Sequence, residues 1–167
     1  FYKKIPNAIP YVTSYYKKYW GFCIQYDDFK KLPKGKYQVF IDSKFTKGNL
    51  NYGELVFKGK SKKEILFSTY LCHPSMANNE ISGPCVSTFL SKYVKNMKNR
   101  HYTYRFIFVP ETIGSIAYIS KNFDQMKKNI IAGFNLSCIG DEREYSYISS
   151  RSGNTIADQI AKKILFS

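Results

Sequence analysis

The run Tyr70-Leu-Cys-His-Pro-Ser-Met-Ala-Asn-Asn-Glu-Ile-Ser-Gly-Pro84 places an imidazole, His73, and a carboxylate, Glu80, in one polar loop, with Asn78 and Asn79 between them. An apolar run, Glu64-Ile-Leu-Phe-Ser-Thr-Tyr-Leu71, precedes it and reads as a buried strand; an amphipathic helix follows. In open α/β sheets, ligands bind beyond the carboxyl ends of the strands. An imidazole and a carboxylate at such a place suit metal ligation or proton transfer. The same residues also suit a plain turn, because Pro, Asn and Ser favour turns for backbone reasons.

The chain holds only 12 acidic residues, yet several fall at the ends of other strand-like runs. Glu111 ends Arg105-Phe-Ile-Phe-Val-Pro110, and Asp141, Glu142 and Glu144 follow Cys138-Ile-Gly140. If these strands run parallel, His73, Glu80, Glu111 and Asp141 emerge on one edge of the sheet. That is a set of hard oxygen donors with one imidazole. Each residue has a plainer alternative. His73 could donate to a backbone carbonyl in its Pro-containing turn. Glu111 could cap a helix from Ile113, worth about 0.3–1 kcal/mol, and Glu80 could do the same for the helix after it. Asp141 could be a turn residue, and Asn79 could occupy a positive-φ position. The second histidine, His101, sits in the polar loop Asn99-Arg-His-Tyr102 and reads as surface.

The elements that must hold these groups follow from periodicity. Ile65 to Leu71 is near-continuously apolar, as in a strand buried on both faces. Val86, Phe89, Leu90, Tyr93, Val94 and Met97 recur at helical spacing, with Ser82 as N-cap and Pro84 in the first turn. Residues 102–109 form a strand, 113–122 a short helix, 130–139 a third strand, 145–148 a fourth, and 154–164 a helix capped by Asn154. The βαβαβ order predicts a mostly parallel sheet covered by helices. Upstream, 37–45 and 50–58 read as an antiparallel hairpin, and 14–19 as a short helix. The expected architecture is a three-layer α/β/α domain with a mixed sheet, made of residues 1–26 and 64–167. A small β-rich insertion over 27–63 is expected beside the site or as a lid.

Composition bounds the function. With 167 residues, 44% hydrophobic and 17% aromatic, the chain folds around a real core. Its longest apolar runs are strand-length, below the ~20 residues of a membrane span. The formal charge of +14 raises nucleic-acid binding. However, the lysines come in scattered pairs with no accompanying motif, so solvated surface is the favoured account. The four cysteines, at 23, 72, 85 and 138, show no CxxC spacing. Cys72 and Cys138, in apolar runs, read as buried free thiols, which fits a reducing, cytoplasmic compartment. The start at Phe1, without Met or a signal-peptide apolar region, and an end inside a helical pattern read as a fragment.

The motifs Ser68-Thr-Tyr-Leu-Cys-His-Pro-Ser-Met-Ala-Asn-Asn-Glu-Ile-Ser-Gly83, Phe106-Ile-Phe-Val-Pro-Glu-Thr-Ile-Gly-Ser115 and Asn135-Leu-Ser-Cys-Ile-Gly-Asp141 resemble the zinc aminopeptidase superfamily. More narrowly, together with Ser14 to Cys23, they resemble a bacterial aminopeptidase-like group linked to polysaccharide-biosynthesis loci. The resemblance implies a zinc-exopeptidase-like fold and hydrolysis of a peptide or small amide with one or two zinc ions. It implies His73 as a zinc ligand and Glu111 as general base. It also exposes departures: Asn79 stands where a bridging aspartate is expected, Thr112 where a ligand glutamate is, and Ser137 where an aspartate is. Glu80 and Asp141 are then the candidates to replace lost ligands, alongside Asn79. With fewer carboxylates, two neighbouring cations would repel with little compensation. The expectation is therefore a metal-dependent hydrolase acting on a peptide or small amide. The alternatives are a non-catalytic binding or assembly module of the same fold, which could be oligomeric, and a basic nucleic-acid binder.

Overall fold

The computed structural model describes residues 1–12, 18–73 and 76–166. They form two compact units, Phe1–Thr46 and Lys47–Ser167. The helix expected at 14–19 lies largely outside the described residues.

In the first unit, a short helix α1, Tyr26–Lys31, carries Asp27 and Asp28 in its first turn and Lys30 and Lys31 in its last. This order complements the helix dipole. Asp27–Lys30 and Asp28–Lys31 pair at 2.9 Å, and the Phe1 ring stacks on Phe29 at 4.3 Å. The aromatic and charge pattern that makes α1 went unread in the sequence.

The second unit is a mixed α/β structure on a four-stranded sheet. Its strands are β1 (Gly53–Phe57), β2 (Glu64–Leu71), β3 (Thr103–Pro110) and β4 (Ile130–Asn135), in the order β1-β3-β2-β4. β2 runs parallel to both β3 and β4, and β1 closes the edge antiparallel to β3. The hairpin expected over 37–58 is therefore not formed. Gly53–Phe57 pairs with β3, and residues 37–45 carry no strand. Asp42, Ser43 and Lys44 interrupt the apolar alternation there, and Phe40 stays 88% exposed. The strand expected at 145–148 is also absent, and β4 stops at Asn135 rather than 139.

Helices α2 (Ser82–Asn96), α3 (Ile113–Asn129) and α4 (Ile156–Leu165) complete the unit. α3 runs past the expected end at Asn122, because Phe123 and Met126 continue the helical pattern and Lys127 and Lys128 suit its last turn. Thr155, not Asn154, caps α4 through a reciprocal capping box with Asp158. Asp158 also accepts from the Ser150 amide and hydroxyl at 2.8 and 2.6 Å and from Tyr147. Hydrogen bonds from Ser150, Thr155 and Tyr147 hold its carboxyl far below the usual carboxylate range.

The two faces of the sheet are packed differently. On one, Ile107 and Val109 bury the ring of Tyr118 from α3, with Leu66 and Met126 beside them. There Arg105 is buried between Glu64 (2.6 Å), Glu54 and the Tyr118 hydroxyl (3.1 Å). On the other, Phe67 stacks on Phe106 and Phe134 at 4.9 and 5.6 Å. α2 covers this second face, with Gly83 set against Thr69. The expected apolar stripe of α2 is buried only in part, at Val94 and, half-buried, at Leu90 and Met97. The helix's buried residues are Ser82, Gly83, Ser87, Ser91 and Val94, whereas Val86, Phe89 and Tyr93 are exposed. Small side chains let the helix approach the phenylalanine layer closely. Among the described residues no helix is long and apolar enough to cross a membrane.

Candidate metal centre

The topology dictates where a site can form. From β2 the chain passes through α2 to β3 on one side; from β3 it returns through α3, past β2, to β4. Right-handed crossovers in opposite directions put the two helices on opposite faces, as the packing of Tyr118 and Gly83 shows. The loops leaving β2 and β3 therefore diverge, and a crevice opens between their carboxyl ends. Such a switch point is where open α/β sheets bind ligands.

Register brings the chemistry into this crevice. Leu71 of β2 pairs with Pro110 of β3, so Cys72 and His73 leave the sheet beside Glu111. The ligand-type atoms of Cys72, His73 and Glu111 all lie within 4.8 Å of one another. The sulfur of Cys72 is 3.9 Å from His73 Nδ1. His73 is half-buried, while Cys72 and Glu111 face solvent. Cys72 is thus not the buried thiol its apolar run suggested, because the strand has ended at Leu71. Local desolvation, a hydrogen bond to Glu111, and the Glu111 and Glu80 carboxylates push its thiol up. Without a cation beside it, the sulfur stays protonated and is a poor nucleophile.

Backbone strain holds Glu111 in place. Thr112 has φ 55° and ψ −69°, and the Ile113 amide donates to the Glu111 carbonyl at 2.6 Å. This is the rare, strained form of γ-turn, here centred on a β-branched residue. Strain of this type costs about 1–3 kcal/mol and gathers at functional sites. The turn is tight enough that α3 begins directly against Pro110: a Cβ on Gly114 would stand 2.5 Å from Pro110 Cδ.

Behind the crevice, one π-helical turn, Ala77–Ile81, leads into α2. Ser82 is therefore not the N-cap; its amide closes the wide turn onto the Ala77 carbonyl, and its hydroxyl donates to the Asn78 carbonyl at 2.5 Å. The turn sends three consecutive side chains to three places. Asn78 accepts from the Gly140 amide at 2.8 Å and donates to Asp141 at 2.9 Å. Asn79 accepts from the Tyr70 hydroxyl at 2.8 Å, and the same hydroxyl meets Ser137 Oγ at 2.6 Å. Glu80 turns inward, 4% exposed, and one of its oxygens accepts from the Cys72 amide at 2.7 Å. Its other oxygen, Oε1, is buried with no hydrogen-bond partner among the described residues.

Of the residues singled out in the sequence, the structure thus gathers His73 and Glu111, with Glu80 directly behind Cys72. Asn79 faces Tyr70 and Ser137. Asp141 pairs with Arg143 at 2.5 Å, which holds its carboxyl below the usual range, and ties the loop after β4 to Asn78. Cys138, exposed at φ 53°, turns that loop. His101 is exposed and packs edge-on against Tyr102. Sequence reasoning passed over Cys72. The signal was its place beside His73, but only the strand's end decides whether the thiol faces the core or the crevice.

The second unit is thus a mixed α/β domain with a sulfur, nitrogen and oxygen donor cluster at the switch point of its sheet. The chain belongs to the family described as "Domain of unknown function (DUF4910)", whose pattern matches residues 4–167. A Clostridium acetobutylicum protein described as a "Putative polysaccharide biosynthesis protein with aminopeptidase-like domain" is 44% identical over 159 residues, covering 95% of this chain and 36% of its own length. A crystal structure of a "putative peptidase" from Clostridium acetobutylicum superposes with a TM-score of 0.82 at 42% identity, covering 98% of this chain and 38% of that one. The chain thus spans little more than a third of the length of these relatives.

Proposed function

We propose that the protein carrying this chain is a metal-dependent, aminopeptidase-like hydrolase of the three-layer zinc-exopeptidase type, cleaving a peptide or small amide bond with one zinc ion. The observation that carries the reading is the convergence of His73 and Glu111 at the β2–β3 switch point, with the buried Oε1 of Glu80, unpaired among the described residues, behind them. An orphaned buried carboxylate oxygen is costly unless a cation or donor compensates it. The donor set, imidazole and carboxylate with a thiol beside them, is one that zinc accepts. The relatives' printed descriptions, aminopeptidase-like and peptidase, point the same way.

A metal held by His73 would supply Lewis-acid polarisation of the scissile carbonyl and acidify a water. Glu111, fixed by the γ-turn at Thr112 and open to solvent, accepts the proton of the attacking water on its carboxylate and returns it to the leaving amine. Glu80 keeps the Cys72–His73 backbone in register through the Cys72 amide. One ion rather than two follows from Tyr70. Its hydroxyl links Asn79 and Ser137, both positions where the resemblance expects carboxylates, so a neutral hydrogen-bonded group stands there without charge to hold a second cation.

The test uses the intact natural protein. Zinc-loaded protein should hydrolyse aminoacyl-nitroanilides, and Glu111→Gln should lower kcat by about 10²–10⁴-fold while zinc stays bound. Absence of bound zinc, with no gain in hydrolysis on adding it, would overturn the proposal. That outcome would favour a second reading, a non-catalytic binding module, for which the neutral residues Asn79, Thr112 and Ser137 are the supporting observation.

A further inference from the structure

We infer that Cys72 is a thiolate ligand of the metal, so that the centre is a mixed sulfur, nitrogen and oxygen site rather than one built from imidazole and carboxylates alone. The inference rests on the metal-dependent reading above, and deepens it by naming the donor that replaces the lost acids.

Geometry makes the first argument. Zinc–sulfur and zinc–nitrogen bonds of about 2.3 and 2.0–2.1 Å at a tetrahedral angle place the two ligand atoms about 3.5 Å apart. Cys72 Sγ and His73 Nδ1 stand 3.9 Å apart, a difference that a small side-chain rotation closes. Consecutive residues on a regular strand point to opposite faces. These two converge only because β2 ends at Leu71 and the Cys72 amide is captured by Glu80. The capture fixes the backbone at Cys72 itself, with the sulfur already on the imidazole's side.

Charge makes the second argument. Thr112, Asn79 and Ser137 are neutral, so the pocket around a cation at His73 draws its negative charge from few residues. A thiolate at Cys72 adds one charge at bonding distance. On binding, the S–H bond breaks, a sulfur–metal bond forms, and the proton passes to bulk water, so that Glu111, within 4.8 Å, keeps its charge. No redox partner is needed. A soft sulfur donor with one imidazole also selects zinc-like ions over magnesium, calcium or manganese.

Cobalt(II) added to the metal-free intact protein is the probe. A cobalt site with sulfur ligation shows an intense near-ultraviolet sulfur-to-cobalt charge-transfer band beside the visible ligand-field bands. The expected result is that band in the natural protein, its loss in Cys72→Ser, and its retention in Cys138→Ser and Cys85→Ser. Affinity of Cys72→Ser should fall by at least the roughly 10–100-fold that losing an outer-shell partner costs. Iodoacetamide labelling of the unmutated protein, mapped by peptide mass, gives a second measure that needs no variant: zinc should protect Cys72 and leave Cys85 reactive. Cobalt bound with ligand-field bands but no sulfur band, or a band untouched by Cys72→Ser, or Cys72 alkylated equally with and without zinc, overturns the sulfur ligand and leaves the hydrolase reading standing. Failure to bind cobalt or zinc at all overturns both.

Discussion

Glu80→Gln separates a carboxylate that merely holds the backbone from one that also serves a cation. Glu80 is 4% exposed; one oxygen accepts the Cys72 amide at 2.7 Å and the other, Oε1, is buried without a partner among the described residues. In the metal-free protein the substitution exchanges a charge-assisted hydrogen bond, worth about 1.5–3 kcal/mol, for a neutral one of about 0.5–1.5 kcal/mol. Against that loss of about 1 kcal/mol, it removes a buried charge whose desolvation costs several kcal/mol where compensation is incomplete. Metal-free Glu80→Gln should therefore be as stable as the natural protein or somewhat more so. With metal the sign reverses. On the metal-dependent reading, Glu80 acts as a positioning residue through its bond to the Cys72 amide and its nearby charge. Losing such an outer-shell partner weakens metal affinity by about 10–100-fold. Since a ligand stabilises by RT ln(1 + [L]/Kd), the increment conferred by excess zinc should shrink by about 1.4–2.7 kcal/mol. The assay is denaturant or thermal unfolding of the intact protein with zinc and with chelator, for both variants. A purely structural Glu80 would instead change stability equally in both conditions. That parallel change, which leaves the zinc increment unaltered, would refute the reasoning.

Further outcomes follow from the frame around the site. In Gly83→Ala the new Cβ would meet the Leu136 carbonyl oxygen at 2.3 Å and Thr69 Oγ1 at 2.4 Å, which already share a 3.0 Å hydrogen bond. Overpacking costs about 1–3 kcal/mol and the strained hydrogen bond about 1 more, so a lower unfolding midpoint and weaker metal binding should be measured together. Arg105→Ala leaves Glu64 buried without its partner and should destabilise by about 3–5 kcal/mol in chemical denaturation. The depressed Asp158 carboxyl contributes stability that is present above the unfolded pKa of about 3.9 and is lost as pH falls below it. Asp158→Asn should therefore be less stable at neutral pH and show a shallower loss on acidification, read from unfolding midpoints across that range.

Periodicity in the chain was enough to specify the parallel strands and the helices between them. Ile65 to Leu71 is near-continuously apolar and Phe106 to Val109 is apolar without a break, as in strands buried on both faces. Once three such strands run parallel, their carboxyl ends share an edge, so His73 and Glu111 had to emerge together. Local chemistry was less decisive where two partners competed. Residues 37–45 have strand composition, but Gly53–Phe57 found its partner in β3, and nothing local reveals which edge is open. Of the helical stripe Val86, Phe89, Leu90, Tyr93, Val94 and Met97, only Val94 is buried, while Gly83, Ser87 and Ser91 are buried with it. Closeness of approach, not hydrophobicity, selected that face.

The sequence by itself determined that an imidazole and a carboxylate would lie at neighbouring strand ends, because composition and period determine strands. The tertiary structure alone decided which atoms meet. It ended β2 one residue before Cys72, bent Thr112 to a positive φ, and turned Glu80 inward and Asp141 toward Arg143. Those choices depend on register between β2 and β3 and on a single π-helical turn. Both are set by contacts between residues far apart in the chain, which no local pattern encodes.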